Sequence, residues 1–333
     1  MRGTIMVSYG RTARVLYRLY SRLNRHRPLL QQRLLELKTG WDLPDSLFTR
    51  QSMLRFTKYH ELSLHVVCNS VYQLTGRQLT PEEQERIFLL SIFGPLYDDL
   101  LDDNILSAEK VAELTHSPES FEAETDTARL VRQLYLWLLQ MTPDAQRLKE
   151  KMAALFYWQQ ASLEQKDPRI EEKRLYEISF QKSFQSLLLF HAILDHYPDN
   201  EIENMLYPLA GLLQLTNDAF DVYKDLQAGM YTIPNLYPDY EKIERRFMQT
   251  VGVANRRIAA LPYPAKAKTD FAITFHALHA MGRMALWQLR RNTHHKPLKE
   301  LSRRELVCDM DNLPQKLRWI REVRQLVNFR GRD

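Results

Sequence analysis

The stretch from Leu206 to Pro234 changes character in mid-helix, and that change limits what the chain can become. Leu206 to Leu215 is an apolar run suited to a buried helix. The same helix then carries Asn217, Asp218, Asp221, Lys224 and Asp225. At about 100° per residue, Asn217, Asp221, Lys224 and Asp225 share an arc of about 100°, with Asp218 at its edge. Carboxylates crowded on one face of an apolar helix repel one another and are costly to desolvate, unless a cation lies among them. Hard oxygen donors with room for water and phosphate suit magnesium rather than zinc. A solvated acidic helix end is the plainer alternative.

A second cluster weakens that alternative. Asp98-Asp99-Leu-Leu-Asp102-Asp103-Asn104 closes another apolar run, Ile87 to Leu96. Spacings of three and four put Asp98, Asp99 and Asp102 on one face, whereas Asp103 lies about 140° round from Asp98. Two carboxylate clusters, each ending an apolar segment, predict two walls of one pocket that binds several magnesium ions. The ligand such ions serve is a diphosphate.

The rest of the chain reads as helices. Only 10 glycines and few alternating β-branched runs among 333 residues argue against hairpins and parallel sheets. Thr80-Pro81-Glu82-Glu83 is a helix start, with a capping residue, Pro at the first position and Glu three on. Later starts are punctuated by Pro143, Pro168, Pro198, Pro238 and Pro264. Single helices are predicted from Ser52 to Leu74, from Pro81 to the first aspartates with a kink at Gly94-Pro95, and from Arg169 to His196. With no repeat or linker, residues 1–333 read as one all-α domain, a single large bundle around a central cavity.

Charge and cysteine usage narrow the setting. Arg11, Arg14, Arg18, Arg22, Arg25 and Arg27 crowd residues 1–40, a basic amphipathic segment within a chain of net charge +5. Such a helix can touch an anionic membrane surface or simply pack on its own domain; no nucleic-acid partner is expected. Cys68 and Cys308 are the only cysteines and lack neighbouring zinc ligands, which points to a reducing, cytoplasmic setting. Monomer and homodimer stay equally open.

Asp98-Asp99-x-x-Asp102 resembles the first aspartate-rich motif of class I isoprenoid synthases. Asn217-Asp218-x-x-Asp221-x-x-Lys224-Asp225 is similar to the second metal motif of terpene cyclases, with Asp221 in place of Ser or Thr and Asp225 in place of Glu. Gln214-Leu-Thr-Asn217 with Asp221-x-x-x-Asp225 resembles squalene and phytoene synthases. Asp225-Leu-x-x-Gly229-x-x-Thr232-x-Pro234 resembles the chain-elongating prenyl diphosphate synthases. The resemblance covers roughly residues 90–105 and 175–235.

What the resemblance implies is an all-α isoprenoid synthase-like bundle using magnesium, expected as three ions, to ionise an allylic prenyl diphosphate. Asp98, Asp99, Asp102, Asn217, Asp218, Asp221 and Asp225 would hold metal. Lys224, Lys182, Arg174, Arg290 and Arg291 would meet the diphosphate. Phe93, Tyr97, Phe180, Phe184 and Phe220 would line the cavity, and Ser183 with Ser186 would suit a break in their helix. The paired arginines that follow the first motif in chain elongation are missing, because Asn104-Ile-Leu-Ser-Ala follows Asp103. That favours a terpene synthase, with cyclisation or rearrangement of the cation. Head-to-head condensation and chain elongation are the alternatives within the superfamily. A non-catalytic helical binding protein is the alternative outside it.

Overall fold

The structure, a computed structural model, describes residues 6–41, 43–310 and 313–331. All regular structure among these residues is helical. None of the described helices is long and apolar enough to cross a membrane.

Helix ends follow capping chemistry. At α4 (Pro81–Asp102), Glu83 N donates to Thr80 Oγ1 at 3.1 Å and Thr80 N donates to Glu83 Oε2 at 2.8 Å. A cap of this kind is worth about 1 kcal/mol. Glu83 is only 1% exposed, and it also accepts from the Tyr72 hydroxyl and from Asp195 N. The cap is therefore also a tertiary staple. α9 (Asn200–Ala228) starts on Asp199, which accepts from Ile202 N at 2.9 Å. It stops at Gly229, whose φ of 64° is costly for any residue with a Cβ.

Two local expectations are corrected. The predicted helix from Ser52 to Leu74 is α2 (Arg50–Glu61), a π-helical stretch (Leu62–Cys68) and α3 (Asn69–Leu74). α4 runs on through Gly94 and Pro95. α8 (Glu172–Ala192) is unbroken at Ser183 and Ser186; serine in mid-helix costs only tenths of a kcal/mol in propensity, roughly, so it need not break one.

The chain divides into two compact units, each discontinuous in sequence. One comprises Arg18–Gln160 and Gln185–Pro198. It holds most of α1 (Tyr9–Gly40), then α2 to α4, α5 (Ala108–His116), α6 (Asp126–Met141) and α7 (Ala145–Ala161). α4 packs between α2 and α6. Burying the apolar side of α4, from Ile87 to Leu101, supplies most of its stability, at about 25 cal/mol per Å². Arg86 locks this unit by donating to Met141 O at 2.9 Å and to Asp195.

The other unit comprises Met1–Tyr17, Ala161–Phe184 and Asp199–Asp333. In it α9 packs against α11 (Tyr240–Ala260) and α12 (Ala265–Thr293), and α12 against α14 (Leu313–Asn328). Two glycines permit close approach. A Cβ on Gly211 of α9 would lie 2.3 Å from the Phe180 ring, and one on Gly282 of α12 would lie 2.2 Å from Thr216 Oγ1. Both distances are well inside van der Waals contact, so both positions require glycine. α10 (Ile233–Leu236) and α13 (Arg303–Leu306) are single turns.

Candidate functional site

In the unit built on α9, helical geometry sorts the acidic residues by depth. Asn217, Asp221 and Lys224 are exposed, Asp225 is half-buried, and Asp218 is 3% exposed. Gln214 Nε2, one turn earlier, donates to Asp218 Oδ1 at 2.8 Å; Asp218 Oδ2 is buried without a partner. Burial pushes the Asp218 carboxyl up to about 8; the Gln214 bond opposes this, while Asp225 and Asp221 add to it. Burial likewise pushes Asp225 up to about 7, and Asp221 adds to it against Lys224 and a 3.5 Å contact from Thr232 Oγ1. The nearby positive charge offsets only part of this burial.

α8 brings further polar groups into the same unit. Lys182 is half-buried, and its charge partly offsets the rise at Asp218. The Tyr176 hydroxyl and Ser179 Oγ are buried without partners, and the Arg246 guanidinium of α11 lies 3.6 Å from the Tyr176 ring centroid. Phe180 is seated on Gly211, with its ring centroid 6.1 Å from Tyr207; Phe184 meets Tyr207 edge-on at 5.2 Å. Phe220 is half-buried. Sequence reasoning missed Tyr176, Ser179 and Arg246, and it quoted Gln214 in a motif without giving it a role. A period of three to four from Tyr176 through Ser179 to Ser183 was the available signal.

In the unit built on α4, the acidic cluster carries its own counter-ion. Arg55 Nη1 donates to Asp99 Oδ1 and Oδ2 at 2.6 and 2.7 Å, and Arg55 Nη2 donates to Pro95 O at 3.1 Å. Burial raises the Asp99 carboxyl above its ordinary range, Arg55 pulls it down, and Asp103 and Asp102 push it up again. Tyr59, one turn along α2, has its phenol raised by burial and then by the charge of Asp98. Asp102 is exposed and accepts from Gln159 Nε2 at 3.4 Å; Asp103 is exposed at the helix cap. Arg55, 44 residues before Asp99, was not legible as its partner.

Phe93 and Tyr97, each 1% exposed, stack at 5.3 Å in the core of their unit, and the Tyr97 hydroxyl bonds Thr115 Oγ1 at 2.6 Å. They are core residues, because α6 covers them. Arg174 is held by Glu164 at 2.7 and 2.9 Å and by Glu177 at 2.8 Å, at a partly exposed position. Arg290 pairs with Glu241 at 2.5 Å and Glu244 at 3.6 Å and borders a cleft of about 600 Å³ with Met248 and Phe329. Arg291 is exposed, 5.7 Å from the Trp287 ring centroid.

The donor set is oxygen throughout, which fits magnesium. Among the described residues no three His, Cys, Asp or Glu side chains form a group ready to hold an ion. Magnesium characteristically takes one or two carboxylates and completes its shell with water and substrate phosphate, so a ready cage is not required. The orphaned Asp218 oxygen and the partly compensated Asp225 are what a cation would satisfy. Compared with known proteins, the chain matches no family model, no curated protein and no solved structure.

Proposed function

We propose that the chain is a class I isoprenoid synthase that ionises an allylic prenyl diphosphate with magnesium, and that its branch is terpene synthesis. The observation that carries this reading is Asp218: a carboxyl buried on an apolar helix, one oxygen without a partner, crowded by Asp221 and Asp225. Such a group either takes up a proton or gains a cation, and a folded chain that retains it has a use for the cation.

Asn217, Asp218, Asp221 and Asp225 of α9 would hold metal, as would Asp98, Asp99 and Asp102 of α4. Asp99 reaches an ion only when Arg55 gives way or shares it. Bound magnesium supplies positive charge against the negative charge gathering on a departing diphosphate. Lys224 and Lys182 donate hydrogen bonds to that leaving group, and Tyr176 and Ser179 add two neutral donors. The C–O bond breaks with its electron pair leaving on the diphosphate, and an allylic cation remains. Phe180, Phe184 and Tyr207 offer ring faces that favour the cation and exclude water.

Thermal stability with magnesium plus inorganic diphosphate tests the binding half of the reading. The two together should raise the melting temperature more than either alone. Turnover tests the branch. A terpene synthase consumes a single allylic diphosphate without isopentenyl diphosphate; a requirement for isopentenyl diphosphate would indicate elongation, and a product of two joined chains would indicate head-to-head condensation.

A further inference from the structure

A second set of unpaired polar groups lies in the α4-containing unit, and none of them has a part in the proposed reaction. His26 of α1, His60 of α2 and His65 of the π-helical stretch gather their rings. The His26 centroid is 5.7 Å from that of His60 and 5.3 Å from that of His65. His60 and His65 are buried, at 3% and 7% exposed. His26 Nδ1, His60 Nδ1 and His65 Nε2 find no hydrogen-bond partner, and neither does Arg22 Nε.

Local geometry makes this gathering. Five residues separate His60 from His65, which in an α-helix is about 140°. The i→i+5 pairing of a π-helix, seen where Asn69 N donates to Leu64 O, brings residues five apart towards one face. On α1, Arg22, His26 and Arg33 share an arc of about 40°.

The charges around the rings come from three helices. From α1 come Arg22 and Arg33, with Arg18 and Arg25 acting on Arg22. From α2 comes Glu61, which is taken by Arg27 at 2.7 and 2.9 Å. From α4 comes Glu85, which pairs with Arg33 over the Phe88 ring. Both carboxylates are therefore paired, although Glu61 still favours the charged form of His26 against its burial. Arg22, half-buried, makes no ion pair among the described residues, and burial followed by its arginine neighbours lowers its pKa. Burial, then neighbouring charge, holds His60 down at about 3 and His65 at about 4.

An unpaired guanidinium whose charge reaches His65, next to three gathered imidazoles with unpartnered nitrogens, is costly as it stands and complementary to an anion. A metal ion is disfavoured, because the positive charges of Arg22 and Arg33 act on these rings and would repel it. We infer that Arg22, His26, His60 and His65 form an oxyanion site for a phosphate-type group, either free or carried on a lipid headgroup. Each imidazole gains a second N–H on protonation, so the site binds more tightly as pH falls and takes up protons on binding.

The test is titration calorimetry on the full chain, with a chelator present so that magnesium-dependent diphosphate binding is silent. Inorganic phosphate and sulfate are the probes, at about pH 8 and about pH 6, which bracket the ordinary histidine range; sulfate keeps its charge between them. Expected is saturable binding that is tighter at the lower pH, with proton uptake as the bound anion draws the histidines up from the low values they hold in the free chain. Arg22→Met should weaken it about tenfold or more, as should His65→Gln to a smaller extent. Arg77→Met, an exposed arginine of the same unit, should leave it unchanged.

Sedimentation with phosphatidic acid vesicles, against phosphatidylcholine vesicles, separates the two sources. Vesicle binding lost in Arg22→Met identifies a headgroup, and anion binding without vesicle binding identifies a free phosphate. No saturable heat with either anion, or equal loss in Arg22→Met and Arg77→Met, overturns the site. Removing an unpaired cation should not unfold the chain, and if Arg22→Met does unfold, His65→Gln decides.

Discussion

The two acidic clusters look alike in sequence and differ in electrostatic state. At the end of α4, Asp99 is bound by Arg55 through two bonds shorter than 3 Å, and Asp102 and Asp103 are in solvent. On α9, Asp218 is buried with an orphaned oxygen, and Asp225 is pushed up to about 7. The first cluster is stable without a cation because the chain supplies one. The second is only partly compensated, by Lys182 at Asp218 and Lys224 at Asp225, and burial holds both carboxyls above the ordinary range. Carboxylate spacing alone therefore marks a candidate, and the counter-ions around it set how far its charge is offset within the chain.

The comparison is broken most forcefully by activity. Asp225→Asn and Asp218→Asn should each cut turnover of a prenyl diphosphate by roughly a hundredfold or more, the scale for losing one electrostatic element of a transition state. Asp103→Asn, at the exposed cap, should cost less than about threefold, well below that scale. Equal losses from all three would end the distinction between depth and exposure.

Stability gives the next largest effect. Folded pKa values of about 8 for Asp218 and about 7 for Asp225 lie above the unfolded value. Groups raised in this way contribute stability that is fully present below about pH 4 and lost as pH rises through the folded values. Denaturant unfolding of the metal-free chain should therefore weaken between about pH 4 and pH 8, and Asp218→Asn should flatten that slope and stabilise the chain near pH 8 by about 1–3 kcal/mol. A slope unchanged in Asp218→Asn would show that its carboxyl is already compensated.

The opposite sign is expected at α4. Asp99→Asn leaves Arg55 half-buried and unpaired, and should destabilise the chain by about 1–2 kcal/mol after allowance for partial exposure of the pair. Arg55→Met should cost a similar amount, and the double variant less than the sum of the two. The smallest effect belongs to Arg174→Met: held between Glu164 and Glu177 at the surface, Arg174 should contribute less than about 1 kcal/mol. A hundredfold loss of turnover in that variant would support the role that the resemblance implies for it.

Helix starts were legible because capping is local: Thr80 to Glu83 contains every group it needs. Carboxylate faces were legible for the same reason, since helical rotation alone places Asn217 beside Asp221. The depth of Asp218 was half-legible, in its position at the edge of the polar arc. What failed to show depends on partners distant in sequence. Arg55 meets Asp99 across two helices, and Phe93 and Tyr97 are covered by α6 where a cavity was expected. The π-helical stretch has no signature in Leu62–Cys68, yet it sets where His65 points.

The most direct measurement is incubation with allylic diphosphates of increasing prenyl length and magnesium, followed for inorganic diphosphate and prenyl product. The expected result is diphosphate release and a product from one allylic diphosphate alone, both abolished by chelation and by Asp225→Asn. Release from none of the substrates, or release unchanged by the chelator and by Asp225→Asn, would contradict a magnesium-dependent isoprenoid synthase.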